Sequence, residues 1–392
     1  MHKILFSFLI LTISFNLSAD FKNSNGKALE KSLGQMLEWM NSDIEPIITK
    51  INLSDQWKTI DLLNDDNYVI WVGHSTFLIK KSGVTILTDP IFSERASPLK
   101  NFGPKRLIPP ALQIKDIPKI DFVTVSHNHY DHLDTRSLKE IFALHPDVIF
   151  LVPSGDLKLL KRNKINNVYE FDWWESFKDK NFEFTFTPVQ HWSKRSLFDR
   201  NKSLWGGWYI THSDYSMYHA GDTGYSDDFI ETRKRLGAPK YAFIPIGAYD
   251  PEWFMSDSHV NPEEAVQIML DLKAEKGFGM HWATFALTDE DTIEPKIRLE
   301  NATSNSNSLD FSDFLNSRPL DVHKWSDYSE VNKFVNEIYE KLISVKGHER
   351  TAKKLVKVLL LDLYVAWSAD PELRIMFSRD NNAYKAKSRY NE

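Results

Sequence analysis

Ser126-His127-Asn128-His129-Tyr130-Asp131-His132 directly follows Ile120-Asp121-Phe122-Val123-Thr124-Val125, an apolar run that reads as a buried strand. Three imidazoles and a carboxylate therefore crowd the end of one strand. An ordinary turn has no use for four metal-binding groups. Imidazole and carboxylate donors suit zinc, and a catalytic site takes such ligands from rigid elements while leaving a position open for water. Working outward, three further candidates stand at the ends of apolar runs: His191 after 184–190, Asp222 after 218–221 and His281 after 278–280. Singly, each reads as a surface histidine or a turn aspartate. Joined to His127, His129, Asp131 and His132 they make five His and two Asp, enough for two adjacent metals. Gly221 and Gly279 beside them permit tight turns and close backbone approach.

Composition narrows the chemistry. The chain has 392 residues, 13 His and no Cys. Disulfides, thiolate zinc sites and a cysteine nucleophile are excluded, so any metal is held by His and carboxylates. With 42% hydrophobic residues a large core is available, and a net charge of −6 gives no sign of a nucleic-acid partner. At the start, His2-Lys3 precedes an apolar run over 4–17, and Leu17-Ser18-Ala19 has the look of a cleavage site. Residues 1–19 are expected to be a signal peptide of an exported, periplasmic or secreted protein, an uncleaved membrane anchor being the competing reading. The run is too short for a standard transmembrane helix.

Residues 27–41 read as an amphipathic helix with Leu29, Leu33, Met36, Leu37 and Met40 near a helical repeat. Such a helix packs on its own core or lies on a membrane surface. From residue 68 the pattern turns to strands: 68–72, 75–79, 84–88, 148–152, 182–188, 204–211, 217–220 and 241–246. Lys81-Ser82-Gly83 reads as a hairpin turn, and helices are expected at 131–144 and 262–272. Strands in succession with helices between some of them predict an α/β fold, with sheets covered by helices on the outside. Residues 301–308 are polar and read as a loop, and helices are expected at 330–345 and 351–367. The domain reading is a hydrolase domain over 20–320 and a helical extension over 321–392 in which no chemistry is visible.

The pattern His-x-His-x-Asp-His, a later His, Gly221-Asp222-Thr223-Gly224 and a final His resembles the metallo-β-lactamase fold superfamily. Longer blocks narrow the match. Trp71-Val72-Gly73-His74-Ser75-Thr76, Leu87-Thr88-Asp89-Pro90, His191-Trp192-Ser193-Lys194-Arg195, His259-Val260-Asn261-Pro262 and His281-Trp282-Ala283-Thr284 resemble the N-acylphosphatidylethanolamine-hydrolysing phospholipases D, over roughly residues 35–320. The resemblance implies an αββα sandwich and two zinc ions. One would be held by His127, His129 and His191, the other by Asp131, His132 and His281, with Asp222 and a hydroxide between them. It implies substrate contacts at Tyr130 and His259, catalytic roles for Asp131, Asp222 and His259, and support from His74 and Asp89 behind the ligands. The reaction implied is hydrolysis of N-acylphosphatidylethanolamine to N-acylethanolamine and phosphatidic acid. The partners expected are a phospholipid substrate, a membrane surface and, as a homodimer, a second copy of the chain. Two other readings stand beside it: the same fold acting on a soluble phosphodiester or lactone, and a non-catalytic lipid-binding protein. Ser258 departs from the family pattern, where Gln is expected, and so do the segments outside 35–320.

Overall fold

The computed structural model describes residues 21–304 and 310–313, apart from 43, 45, 50, 52–55, 197, 198 and 214. A first sheet of six strands runs in chain order: β1 (Asn67–Gly73), β2 (Thr76–Lys81), β3 (Val84–Thr88), β4 (Phe122–Thr124), β5 (Ile149–Pro153) and β6 (Val168–Phe171). The first three form an antiparallel meander, and β3 to β6 are parallel. Ser82 and Gly83 make the β2–β3 turn with φ of 51° and 75°, the positive values that a two-residue hairpin favours. A second sheet holds β7 (Ser176–Asp179), β8 (Phe182–Thr187), β9 (Gly207–His212), β10 (Tyr215–His219), β11 (Tyr241–Pro245), β12 (Lys276–Met280) and β13 (Asp310–Asp313), again in sequential order. It is antiparallel from β7 to β10 and parallel from β10 to β13.

Side-chain alternation explains the layering. Trp71, Phe77 and Phe122 of the first sheet point to the second, meeting Trp282, Phe243 and Phe184 at ring separations of 5.9, 4.8 and 4.8 Å. Their neighbours Ile70, Val72, Leu78 and Val123 point the other way, into a cluster with Leu138 and Ile141 of α2 (Thr135–Leu144) and Leu160 of α3 (Leu157–Arg162). On the second sheet's outer face, α4 (Asp228–Leu236) brings Phe229 to Tyr218. The short α5 (Glu252–Met255) follows β11, and α6 (Pro262–Leu272) buries Ala265, Ile268, Met269 and Leu272. The result is helix, sheet, sheet, helix. Strands covered on both faces are continuously apolar, which is why they read so clearly in the sequence. Each fully buried ring stabilises the fold by about 2–3 kcal/mol.

Several boundaries differ from expectation. The helix expected from residue 131 starts at Thr135, where the Asp134 side chain caps it by accepting from the Arg136 amide. Residues 129–133 turn instead, with the His132 and Leu133 amides donating to the His129 carbonyl. That turn separates the directions of the His129, Asp131 and His132 side chains. The helix expected over 27–41 is α1 (Leu33–Met40), cut short by a capping box between Ser32 and Gln35. The strand expected from 204 starts at Gly207. The loop expected over 301–308 begins as the last turn of α7 (Glu294–Ser304). The expected helices at 330–345 and 351–367 and the signal peptide lie outside the described residues. Among the described residues no helix is long and apolar enough to cross a membrane.

Candidate metal centre

The site is built on strand ends. His127, His129, Asp131 and His132 follow β4, His191 follows β8, Asp222 follows β10 and His281 follows β12. Placing donors just beyond sheet strands fixes their backbones while leaving the side chains free to converge. His74 comes from the β1–β2 turn. His74 (φ 58°), Asp89 (φ 35°) and His281 (φ 65°) all occupy the left-handed region. Such conformations cost about 1–3 kcal/mol each and persist where the surrounding structure fixes them. Here the His74 amide donates to Thr284 Oγ1 at 2.7 Å, and the His281 amide donates to the His74 carbonyl at 3.2 Å.

Asp222 stands at the centre. Its Oδ2 lies 3.1 Å from Nε2 of both His132 and His281, 3.8 Å from His127 Nε2 and 3.9 Å from His191 Nε2. Asp131 Oδ2 lies 3.3 Å from His281 Nε2, 3.5 Å from His132 Nε2 and 3.0 Å from His74 Nε2. His129 turns Nδ1 to Nε2 of His127 and His191, at 2.9 and 3.3 Å. The donor atoms form overlapping groups able to hold an ion: His127, His129 and His191; His74, Asp131, His132 and His281; and groups containing Asp222 with His127 and His132, or with His191 and His259. All seven metal-ligand candidates from the sequence are brought together.

Two observations test whether a metal fits. First, His132 Nε2, His281 Nε2 and Asp222 Oδ1 are buried without a hydrogen-bond partner, although His132 and His281 approach Asp222 closely. A folded protein rarely leaves this many polar atoms unmatched in one place, and a cation among them would satisfy them. Second, a further layer fixes the rings. His132 Nδ1 meets Asp89 Oδ2 at 2.7 Å, His191 Nδ1 meets the Ser258 carbonyl at 2.9 Å, and His127 Nδ1 meets Ser126 Oγ at 3.0 Å. Such partners orient metal-binding imidazoles.

Electrostatics agrees. Burial pushes His127 and His191 well below the usual histidine value and His129 and His259 down to about 4, so these rings are neutral donors. Burial raises the carboxyls of Asp131 and Asp222, but the surrounding imidazoles outweigh it and hold both well below the ordinary range. Burial also opposes charge on His132 and His281. Asp222 and Asp131 overcome it, raising His132 well above its usual value and His281 to about 9. In the metal-free chain these two rings carry the positive charge that the carboxylates demand.

The two expected substrate contacts fare differently. His259 reaches the cluster, with Nδ1 3.9 Å from Asp222 Oδ2 and a partly exposed side chain. Tyr130 does not join it: its hydroxyl donates to the Arg195 carbonyl at 2.7 Å, beneath the Arg195 guanidinium. Ser258 contributes through its backbone carbonyl. Sequence reading missed Asn23, buried, whose Oδ1 accepts from the His191 amide at 3.0 Å and Trp205 Nε1 at 2.9 Å. It also missed Asp156, buried beneath Asn128. Neither stands in a pattern that marks it.

Residues 84–282 match the beta-lactamase superfamily domain, and the chain belongs to the metallo-β-lactamase superfamily as one of its hydrolases. Within it, the chain is similar to N-acyl-phosphatidylethanolamine-hydrolyzing phospholipase D 1 of Caenorhabditis elegans, 39% identical over 244 residues, which are 59% of this chain and 68% of that protein. It is 42% identical over 240 residues to the mitochondrial N-acyl-phosphatidylethanolamine-hydrolyzing phospholipase D of Saccharomyces cerevisiae, covering 59% of this chain and 51% of that one. The match thus spans about two thirds and about half the length of these relatives. In fold it is similar to a structure from Veillonella parvula described as a possible metal-dependent hydrolase, with a TM-score of 0.51, 15% identity and coverage of 63% of this chain and 97% of that one.

Proposed function

We propose that the chain is a zinc-dependent phosphodiesterase of the phospholipase D type that hydrolyses N-acylphosphatidylethanolamine to N-acylethanolamine and phosphatidic acid. The observation that carries this reading is the position of Asp222 Oδ2, within 3.1–3.9 Å of imidazole nitrogens from both donor groups. His127, His129 and His191 would hold one ion, Asp131, His132 and His281 the other, and Asp222 both. Imidazole and carboxylate donors suit zinc in such a site. Two bound zinc ions would make water a nucleophile near neutral pH and offset charge on the phosphoryl oxygens. Water oxygen attacks phosphorus, the bond from phosphorus to the ethanolamine oxygen breaks, and a proton passes to that oxygen. His259, neutral at pH 7 and partly exposed, would hydrogen-bond the phosphoryl group. His74 keeps Asp131 aimed by its 3.0 Å contact. The substrate assignment is supported by the names of the relatives.

The reading extends to a membrane surface. Met36 (41% exposed), Leu37 (48%) and Trp253 (50%) are large apolar side chains open to solvent. Trp39 instead faces inward, stacked on Phe254 at 5.2 Å, and Lys31 is paired with Asp257 at 3.0 Å rather than free for head groups. The other reading, a soluble phosphodiester or lactone, makes a different prediction in one experiment. The zinc-loaded protein is incubated with mixed phospholipid vesicles and, separately, with soluble phosphodiesters and lactones, and products are identified by mass spectrometry. Release of N-acylethanolamine together with phosphatidic acid is expected. Turnover of soluble substrates alone would overturn the lipid assignment.

A further inference from the structure

A cavity of about 420 Å³ shares Asn128 and Tyr130 with the metal-centre loop but contains none of the seven clustered His and Asp residues. Its walls carry five cations: Arg136, Lys158, Arg162, Arg195 and Lys202. Three carboxylates also line it, and each is already engaged. Asp134 accepts from the hydroxyls of Ser93 and Ser137 and the Arg136 amide. Asp199 Oδ1 accepts from the amides of Arg195 and Ser196. Asp156 is buried, its Oδ1 takes bonds from Asn128 Nδ2 and Ser203 Oγ, and burial lifts it to about 7, so at or below neutrality much of it is uncharged. Its Oδ2 has no partner.

Two of the cations are less committed. Lys158 and Arg162 stand one helical turn apart on α3, exposed, and have no ion-pair partner among the described residues. Arg136 is exposed, with Nη2 donating to the Ser97 carbonyl and Nε 4.0 Å from Asp134 Oδ1. Arg195 uses Nη1 for the carbonyls of Asn128 and Leu133, at 2.7 and 2.8 Å. Five cations against three carboxylates, one of them shifted toward its neutral form, give the cavity a surplus of positive charge. Three of the five cations are guanidinium forks, whose paired N–H groups match tetrahedral oxyanions. The volume lies within the range of small-ligand sites, large enough for a head-group-sized molecule.

We propose that this cavity binds a phosphate monoester, its dianionic group held among Lys158, Arg162 and Arg136 and within reach of Arg195. A monocarboxylate would leave most of the charge unmatched. Arg195 links the cavity to the metal centre, because the carbonyl it grips belongs to Asn128, between His127 and His129. A soluble phosphomonoester and the head group of phosphatidate share this chemistry, and the experiment separates them.

The zinc-loaded full chain is titrated calorimetrically with glycerol 3-phosphate, and its binding to phosphatidylcholine vesicles with and without phosphatidate is measured. Both are repeated with Lys158→Glu/Arg162→Glu and with the milder Lys158→Ala. Both residues are exposed, so unchanged metal content and Tm are expected. Binding in at least one arm should weaken about tenfold or more in the double variant, and by less in Lys158→Ala. Loss with glycerol 3-phosphate identifies a soluble ligand, and loss only with phosphatidate vesicles identifies the lipid head group. Identical binding by wild type and variants in both arms would overturn the proposal. So would binding that depends on Asp222 but not on Lys158 and Arg162, since that places the phosphate at the metals.

Discussion

Replacing Asp156 with Asn turns a buried carboxyl into a measurable pH dependence of stability. Burial lifts this group from 3.8 to about 7, with Ser203 and Asn128 opposing through their hydrogen bonds. For a group raised in the fold, the stabilisation is fully present below the unfolded value and is lost as pH rises through the folded one. A shift of about three pH units amounts to about 4 kcal/mol when fully developed, and about 2–3 kcal/mol of it develops between about pH 5 and pH 8. The amide of Asp156→Asn does not ionise, yet it keeps the Oδ1 acceptor for Asn128 Nδ2 and Ser203 Oγ. Its amide hydrogens face the place where Oδ2 has no partner, a penalty of about 1–3 kcal/mol that is the same at every pH. The stability of Asp156→Asn relative to wild type is therefore expected to improve by about 2–3 kcal/mol from about pH 5 to pH 8. Urea unfolding at the two pH values, with equal metal loading and m-values compared, reads this directly. A difference that stays flat with pH, or moves in the opposite sense, refutes the assignment of a raised carboxyl to Asp156.

Wild type is expected to carry close to two zinc ions per chain, whereas Asp222→Asn keeps the fold but loses metal and about a hundredfold or more of activity. Metal analysis finding no zinc in wild type, with turnover unchanged by a chelator, would sink this. Because His281 is raised to about 9 and His132 is also raised, metal must displace their protons, and affinity should climb with pH from about 6.5 to 9. Calorimetry at about pH 7.5 in two buffers of different ionisation heat should detect proton release; equal heats would contradict it. Met36→Asp/Leu37→Asp should weaken vesicle binding and turnover of bilayer substrate while sparing a short-chain soluble analogue. Equal losses on both, with a lowered Tm, would show that these side chains serve the fold instead.

The features legible in the sequence share one physical property: they are local. The strands are apolar on both faces, so 68–72, 84–88 and 241–246 stood out without any knowledge of their partners. The clustered His and Asp residues sit directly after such strands, so His127 to His132, His191, Asp222 and His281 could be read from position and residue type. What stayed hidden depends on contacts between distant segments. Asn23 is one polar residue near the start of the chain, and only the fold carries it to the amide of His191. Asp156 follows a turn glycine like any surface aspartate, yet it is closed over by Asn128 and Ser203. The helix expected from residue 131 fails because residues 129–133 turn to bring Asp131 and His132 into the His/Asp cluster, and the helix starts only where Asp134 caps it. Tyr130 shows the same limit: its place inside the ligand cluster suggested a phosphate contact, whereas its hydroxyl is bonded to the Arg195 carbonyl. Ser258 is the most instructive departure. His191 takes its partner from the backbone carbonyl at this position, which any residue supplies, while the serine hydroxyl turns back to the Met255 carbonyl. The resemblance leads to an expectation of Gln there, and Gln or Ser alike would leave that carbonyl and the ring orientation intact. On the lipid reading proposed above, a side chain at 258 therefore bears on head-group selectivity and not on the orientation of the His191 ring.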